Sequence, residues 1–149
     1  METTTLETNK SIARQFFEYF SKGEIQKIEN LWGSNYKFHF PGSPKALSKE
    51  ESKQVLKDYV AAFPDLKFTI DYQVAEGDLV VTRITPSGTH KGSFQGISAT
   101  NKKVAISGIE VHRIVDGKIE EEWAEFDALG MMKQIGAVPE TAYANQEHM

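Results

Sequence analysis

Apolar residues recur at helical spacing in the first part of the chain and at a spacing of two further on. Between Leu6 and Ser21 they fall at Ile12, Phe16, Phe17 and Phe20. This i, i+4, i+5, i+8 stripe predicts an amphipathic helix with one face on a core. Lys22-Gly23 ends it. Glu24 to Trp32 predicts a second, shorter helix with Ile25, Ile28, Leu31 and Trp32 on one side, and Gly33 closes it. Tyr36 to Phe40 predicts a short strand that runs into the breaker cluster Pro41-Gly42-Ser43-Pro44. Ser48 with Glu51 three residues on is a capping box, in which each side chain satisfies one free N–H of a helix's first turn. The helix it opens carries Val55, Leu56, Tyr59, Val60 and Phe63, and Pro64 stops it.

Beyond Pro64-Asp65 the period changes to two. Phe68, Ile70, Tyr72 and Val74 alternate with Lys67, Thr69, Asp71 and Gln73, which predicts a strand. Glu76-Gly77-Asp78 turns the chain into a second strand, Leu79 to Thr85. His90 to Gln95 predicts a third strand and Lys103 to Val115 a long fourth. Asp116-Gly117 is a type-I′ hairpin signal leading to a fifth, Lys118 to Phe126. A final helix around Leu129 to Ile135 is closed by Gly136, and the polar tail from Pro139 to Met149 is expected to fray. Helices followed by an antiparallel meander indicate an α+β fold with helices on one face of a curved sheet. With no repeat and no linker, residues 1–138 read as a single domain and 139–149 as its tail.

Composition narrows the functional classes. A chain of 149 residues is about one domain and long enough to bury a core. At 40% apolar it is too hydrophobic to be disordered. The net charge of −4 provides no basic footprint for nucleic acid. The absence of cysteine excludes disulfides, thiolate nucleophiles and Cys-built zinc sites. Met-Glu-Thr-Thr-Thr-Leu-Glu at the start has neither the basic nor the apolar region of a signal peptide. No run approaches the ~20 apolar residues of a membrane span. These features read as a soluble, cytoplasmic domain that engages neither membrane nor nucleic acid.

Several chemistries lack their motif. There is no Gly-x-Gly-x-x-Gly, no phosphate loop and no Gly-x-Ser-x-Gly. His39, His90, His112 and His148 never lie two or four apart, so no local metal motif exists and no metal is expected. The last strand is unusual. Alternation puts Ile119, Glu121, Trp123, Glu125 and Asp127 on one face, and Glu120, Glu122, Ala124 and Phe126 on the other. Either face, turned inward, buries carboxylates beside aromatics, where lost hydration raises a carboxyl pKa toward the range useful for proton transfer. Glu120, Glu122 and Glu125 read as a solvated edge. Asp127, at the strand–helix junction, is either an N-cap or a catalytic acid/base. His112 shares its face with Ile106, Gly108, Glu110 and Ile114, and His39 lies between Phe38 and Phe40. Each is a hydrogen-bonded strand histidine or a catalyst. His90 follows Gly88-Thr89 where the chain re-enters the sheet and could point into a pocket mouth. Arg83, mid-strand, either neutralises a buried carboxylate or reaches the surface.

A set of short motifs in register resembles the SnoaL-like polyketide cyclases, also called ester cyclases. They are Phe63-Pro64-Asp65-Leu66, Glu76-Gly77-Asp78-Leu79-Val80, the run from Gly88 to Ile97, the run from Arg113 to Glu121, Trp123 with Asp127, and Gln134-Ile135-Gly136. Together they span roughly residues 8 to 138. The resemblance implies the nuclear-transport-factor-2-like fold, a cone-shaped, strongly bent antiparallel sheet wrapped by helices around a deep apolar pocket. It implies an intramolecular aldol condensation on a polyketide methyl ester, without metal or cofactor. Asp127 would then be the buried general acid/base that removes an acidic C–H proton and returns a proton to a carbonyl oxygen. His90, His112, Trp123, Arg83 and His39 become pocket candidates. Phe16, Phe20, Phe40 and Phe63 would suit a flat, multi-ring substrate. A homodimer or higher homo-oligomer, formed through the outer face of the sheet, is implied as well. One departure falls after Gly96-Ile97, where Ser98-Ala99-Thr100-Asn101 replaces the family's Pro-Thr-Gly turn. Asn tolerates the left-handed conformation the turn requires.

Three functional readings follow. The first is a cofactor-independent cyclase acting on a small hydrophobic carbonyl compound. The second keeps the pocket but runs an isomerase or epoxide-hydrolase reaction, the isomerase with a histidine or tyrosine as oxyanion donor. The third is a non-catalytic small-molecule carrier or dimeric interaction module on the same fold.

Overall fold

The computed structural model describes residues 2–139; the expected tail from residue 140 onward and His148 lie outside the described residues. Helix α1 (Glu2–Ser21) is followed by α2 (Ile25–Glu29), strand β1 (Trp32–His39) and α3 (Lys49–Ala62). Strands β2 (Lys67–Glu76), β3 (Leu79–Thr89), β4 (Lys103–Ala105), β5 (Gly108–Val115) and β6 (Lys118–Phe126) complete a six-stranded sheet, and α4 (Ala128–Gln134) follows. The order across the sheet is β1-β6-β5-β3-β2, with β4 paired to β3. All pairs are antiparallel except β1 with β6, which run parallel. The chain is thus α+β, with a strongly curled sheet closed by helices on its concave side.

The apolar stripe of α1 explains that closure. Ile12, Phe16, Phe17 and Phe20 are all buried against the sheet, where they meet Phe68 of β2 and His112 of β5. Burying each such ring stabilises the fold by about 1.5–3 kcal/mol relative to exposure. The Ser48–Glu51 capping box forms as expected, with the Ser48 hydroxyl accepting from Glu51 N at 3.2 Å and Glu51 Oε1 accepting from Ser48 N at 3.0 Å. At the β5–β6 hairpin, Asp116 (φ 50°) and Gly117 (φ 78°) both adopt the left-handed conformation of a type-I′ turn.

Four elements depart from the sequence-based expectation, each for a tertiary reason. The second helix stops at Glu29, and Leu31-Trp32 join the sheet instead, because Ile119 N donates to Leu31 O and Trp32 pairs with Ile119. The third strand does not form. His90 to Gln95 is a loop, tied to the end of α3 by Lys91 N and Gly92 N, both donating to Ala62 O at 3.0 Å. A Cβ at Gly92 would collide with the Ala61 carbonyl, so only glycine allows this approach. The long fourth strand is split at Ile106-Ser107 into β4 and β5. In β2 a register shift between Ile70 and Tyr72 reverses the faces: Tyr72 and Val74 are 59% and 55% exposed, while Gln73 turns inward to donate to Thr82 Oγ1.

Loss of the α3 cap has a direct readout. Ser48→Ala is expected to lower unfolding free energy by about 1 kcal/mol, measured as a shift of the urea midpoint at unchanged slope. No change would show that the hydroxyl contributes nothing beyond water.

Candidate active site

Between α1, α3 and the concave face of the sheet lies a pocket of about 750 Å³, counted with its open mouth. Its walls are nearly all apolar: Phe16 and Phe20 from α1, Phe38 and Phe40 from β1 and its exit, Tyr59 and Phe63 from α3, Phe68 from β2 and Phe126 from β6. The rings brace one another. Phe40 and Tyr59 both contact Phe126, at 5.9 and 6.4 Å between centroids, and Phe16 contacts Phe20 at 5.9 Å. Contacts of this kind fix the wall before any ligand arrives.

Three carboxylates interrupt this apolar lining, the exposed Glu125 and two that are buried. Glu110 of β5 and Glu122 of β6 both face the pocket and are buried. His112, fully buried, stands beside them with Nε2 3.5 Å from Glu122 Oε1 and 3.9 Å from Glu110 Oε1. The Tyr36 hydroxyl of β1 donates to Glu122 Oε1 at 2.7 Å. Glu110 Oε1 and both His112 ring nitrogens are buried without a hydrogen-bond partner among the described residues.

Charge balance follows from burial. Desolvation raises the Glu110 carboxyl well above the ordinary carboxylate range, and the neighbouring Glu122 charge and hydrogen bond raise it further. Desolvation also acts on Glu122, as the largest single influence. It is outweighed by the combined effect of the His112 imidazole 3.5 Å away, the adjoining Glu110 carboxyl and the Tyr36 hydrogen bond, which hold Glu122 below its ordinary value. Both influences favour a proton on Glu110 over one on Glu122. Glu110, His112 and Glu122 offer three donor atoms within 4.8 Å of one another, the one such carboxylate–imidazole group among the described residues.

A family model for SnoaL-like polyketide cyclase matches residues 10–135. The chain belongs to the SnoaL-like polyketide cyclase family. Aklanonic acid methyl ester cyclase DnrD of Streptomyces peucetius is 25% identical over 140 residues, covering 88% of this chain and 92% of its own. Among solved structures, AclR of Streptomyces galilaeus, a proposed hydroxylase, superposes with TM-score 0.83 at 25% identity, over 90% of this chain and 99% of its own. IdmH of Streptomyces antibioticus, a proposed polyketide cyclase, gives 0.78 at 27% identity, over 86% and 98%.

The residues expected to form the site in this SnoaL-like chain divide into three groups. Phe16, Phe20, Phe40 and Phe63 line the pocket. His112 lies behind its floor, packed on Phe16 and Phe17 at 5.0 and 5.6 Å. The others sit elsewhere. His39 and Trp123 stack on each other at 5.1 Å on the convex side, where His39 Nε2 meets Glu121 Oε2 at 2.6 Å. That hydrogen bond, with Arg113 as a further neighbour, holds the Glu121 carboxyl below its usual range. Arg83 donates to the carbonyls of Ile84 and Gly108 and neutralises no floor carboxylate. His90 is buried in the 90–101 loop, its Nδ1 3.0 Å from Thr100 Oγ1 and its ring on Phe63, and it does not reach the pocket lining.

Asp127 requires a correction. It is exposed, not buried, because it follows the last residue of β6 and caps α4, accepting from Gly130 N at 2.8 Å. Glu122, expected on a solvated edge, is the carboxylate that is buried. Of the functional positions that pattern reasoning missed, Glu110 carried a signal, since it shares His112's face. Tyr36 carried none.

Two measurements check this assignment. Because the folded-state value for Glu110 is raised, the native protein binds a proton that the unfolded chain has released above about pH 4.3. Stability is therefore present at low pH and lost as pH rises through the folded value, at about 1.4 kcal/mol per pH unit for one proton. Glu110→Gln is expected to remove that decline in urea titrations run at successive pH values; an unchanged slope would place the proton elsewhere. Asp127→Ala is expected to cost about 1 kcal/mol, the value of a cap, read as a shift of the urea midpoint.

Proposed function

We propose that this chain is a cofactor-independent cyclase of the cytoplasm that closes a ring in a small hydrophobic carbonyl compound of polyketide type by intramolecular aldol chemistry. The observation that carries the proposal is two buried carboxylates meeting beside an imidazole and a tyrosine hydroxyl at the floor of an aromatic pocket. A flat conjugated substrate would lie between the rings of Phe16, Phe40 and Phe63, with its acidic C–H, flanked by carbonyls, above Glu122. In a dry pocket an ionised carboxylate is a stronger base than in water, and the neutral acid beside it stabilises charge on the enolate oxygen. The family membership and the name of DnrD support a polycyclic methyl ester as the substrate class. We further propose a homodimer formed through the convex face of the sheet, where Tyr72, Val74, Leu79 and Ile109 are exposed.

The test is proton transfer itself. Aklanonic acid methyl ester is incubated with the protein in heavy water, and C–H exchange and ring closure are followed by NMR. Wild type is expected to catalyse both. Glu122→Gln is expected to lose about 10²–10⁴-fold, the usual worth of a positioned general base, while Asp127→Asn stays close to wild type. The reverse pattern would move the acid/base to Asp127. Tight binding without exchange in wild type would make the protein a carrier.

A further inference from the structure

We propose that Tyr36 is a positioning residue that divides the labour of the two floor carboxylates, fixing Glu122 as the base and leaving Glu110 as the acid. The inference rests on the cyclase reading for its chemistry, but its geometry stands apart from it. Glu110 and Glu122 are both buried at the same pocket floor, with the His112 imidazole 3.9 Å from the first and 3.5 Å from the second. The imidazole therefore already leans toward Glu122, and one hydrogen-bond donor adds to that bias. Tyr36 Oη lies 2.7 Å from Glu122 Oε1, whereas Glu110 Oε1 has no hydrogen-bond partner.

The donor is held in place by its own strand. The β1–β6 register shifts between Trp32 and Lys37, an irregularity that brings the Trp32 and Tyr36 rings into a stack at 4.2 Å and 10°. Both rings are buried, so the hydroxyl has little freedom to leave Glu122. Burial, and then the Glu122 charge, keep the phenol protonated far above neutrality, so it donates throughout the working range. The groups around the pair are Tyr36 from β1, Glu110 and His112 from β5, and Ser52 and Tyr59 from α3; α1 presents only the rings of Phe16 and Phe17. Tyr36 is the one neutral side chain among them with a hydrogen bond of its own to a floor carboxylate.

The step balances. Glu122 takes the proton from carbon, and the C–H electron pair becomes the enolate π bond as the Glu110 proton moves to the enolate oxygen. The enol carbon then forms the new C–C bond to the second carbonyl carbon, whose π electrons pass to its oxygen with the proton from Glu122. The first oxygen returns its proton to Glu110, and both carboxyls are restored.

The experiment follows the two floor carboxyls by carbon NMR with labelled glutamate, assigned with Glu110→Gln and Glu122→Gln. It needs no substrate, so it reads the inference even where the cyclase reading fails. The pair is expected to titrate in two well-separated macroscopic steps. In Tyr36→Phe the lower step is expected to rise by about one pH unit or more, a tenfold loss of ionised base at a given acidic pH, and the gap between the steps to narrow. If that variant does not fold, 3-fluorotyrosine at Tyr36, the same shape with a more acidic hydroxyl, is expected to lower the first step. Steps that stay in place in either protein overturn the proposal. So does a shift of the same sign in both, because a purely structural role cannot reverse direction with donor strength. Where exchange activity is present, the acid limb of kcat/KM is expected to move with the lower step.

Discussion

Two carboxylates buried side by side resist being ionised together, and the rest of this structure is arranged around that constraint. Glu110 and Glu122 reach the same space because β5 and β6 pair with His112 directly opposite Glu122. Desolvation biases one of them toward keeping a proton. The imidazole and the Tyr36 hydroxyl then favour charge on the other. A purely structural core would replace such a pair with aliphatic side chains at equal or better stability. Its presence below an aromatic wall is a conflict between local burial and chemistry, of the kind that functional sites retain.

The aromatic wall and the carboxylate floor depend on each other. The Phe16 and Phe17 rings that exclude water from the floor are the same rings that hold α1 on the sheet, so stability and desolvation come from one set of contacts. On the opposite face of β6, Glu121 shows what solvation changes. It differs from Glu122 by one position, yet it pairs with His39 and Arg113 at the surface and is held in the ionised state. One strand thus carries an ordinary surface ion pair on one side and a buried carboxylate on the other.

Much of the architecture was legible because it depends on short-range patterns: the phenylalanine stripe of α1, the Ser48–Glu51 box and the Asp116–Gly117 turn all formed where periodicity and turn chemistry placed them. The pocket aromatics were legible for the same reason, since a helix stripe that faces a core also faces any cavity in it. The floor was not, and the cause is a single residue of register. Counting outward from a two-residue turn pairs His112 with Glu121. The irregularity between Arg113 and Ile114 instead sets His112 against Glu122, so that Glu122 joins Ile119 among the buried residues of β6. A bulge has no sharp local signature when no glycine marks it, yet it decides which carboxylate enters the core. The same effect in β2 turned Tyr72 and Val74 outward.

Asp127, expected to be buried, is placed by the structure at the start of α4. Its oxygen accepts the free Gly130 N–H there, and it is exposed to solvent. Glu122 has the opposite situation: it is ionised, desolvated and aimed at the pocket, with its proton partner beside it. Both lie on the same strand–helix segment and both are five residues or fewer from Trp123. A general base works best where burial keeps it from bulk water, and of the two only Glu122 is buried and lines the pocket. The physical feature of this fold is therefore the buried floor under the aromatic wall, and which carboxylate occupies it is set by register, one residue at a time.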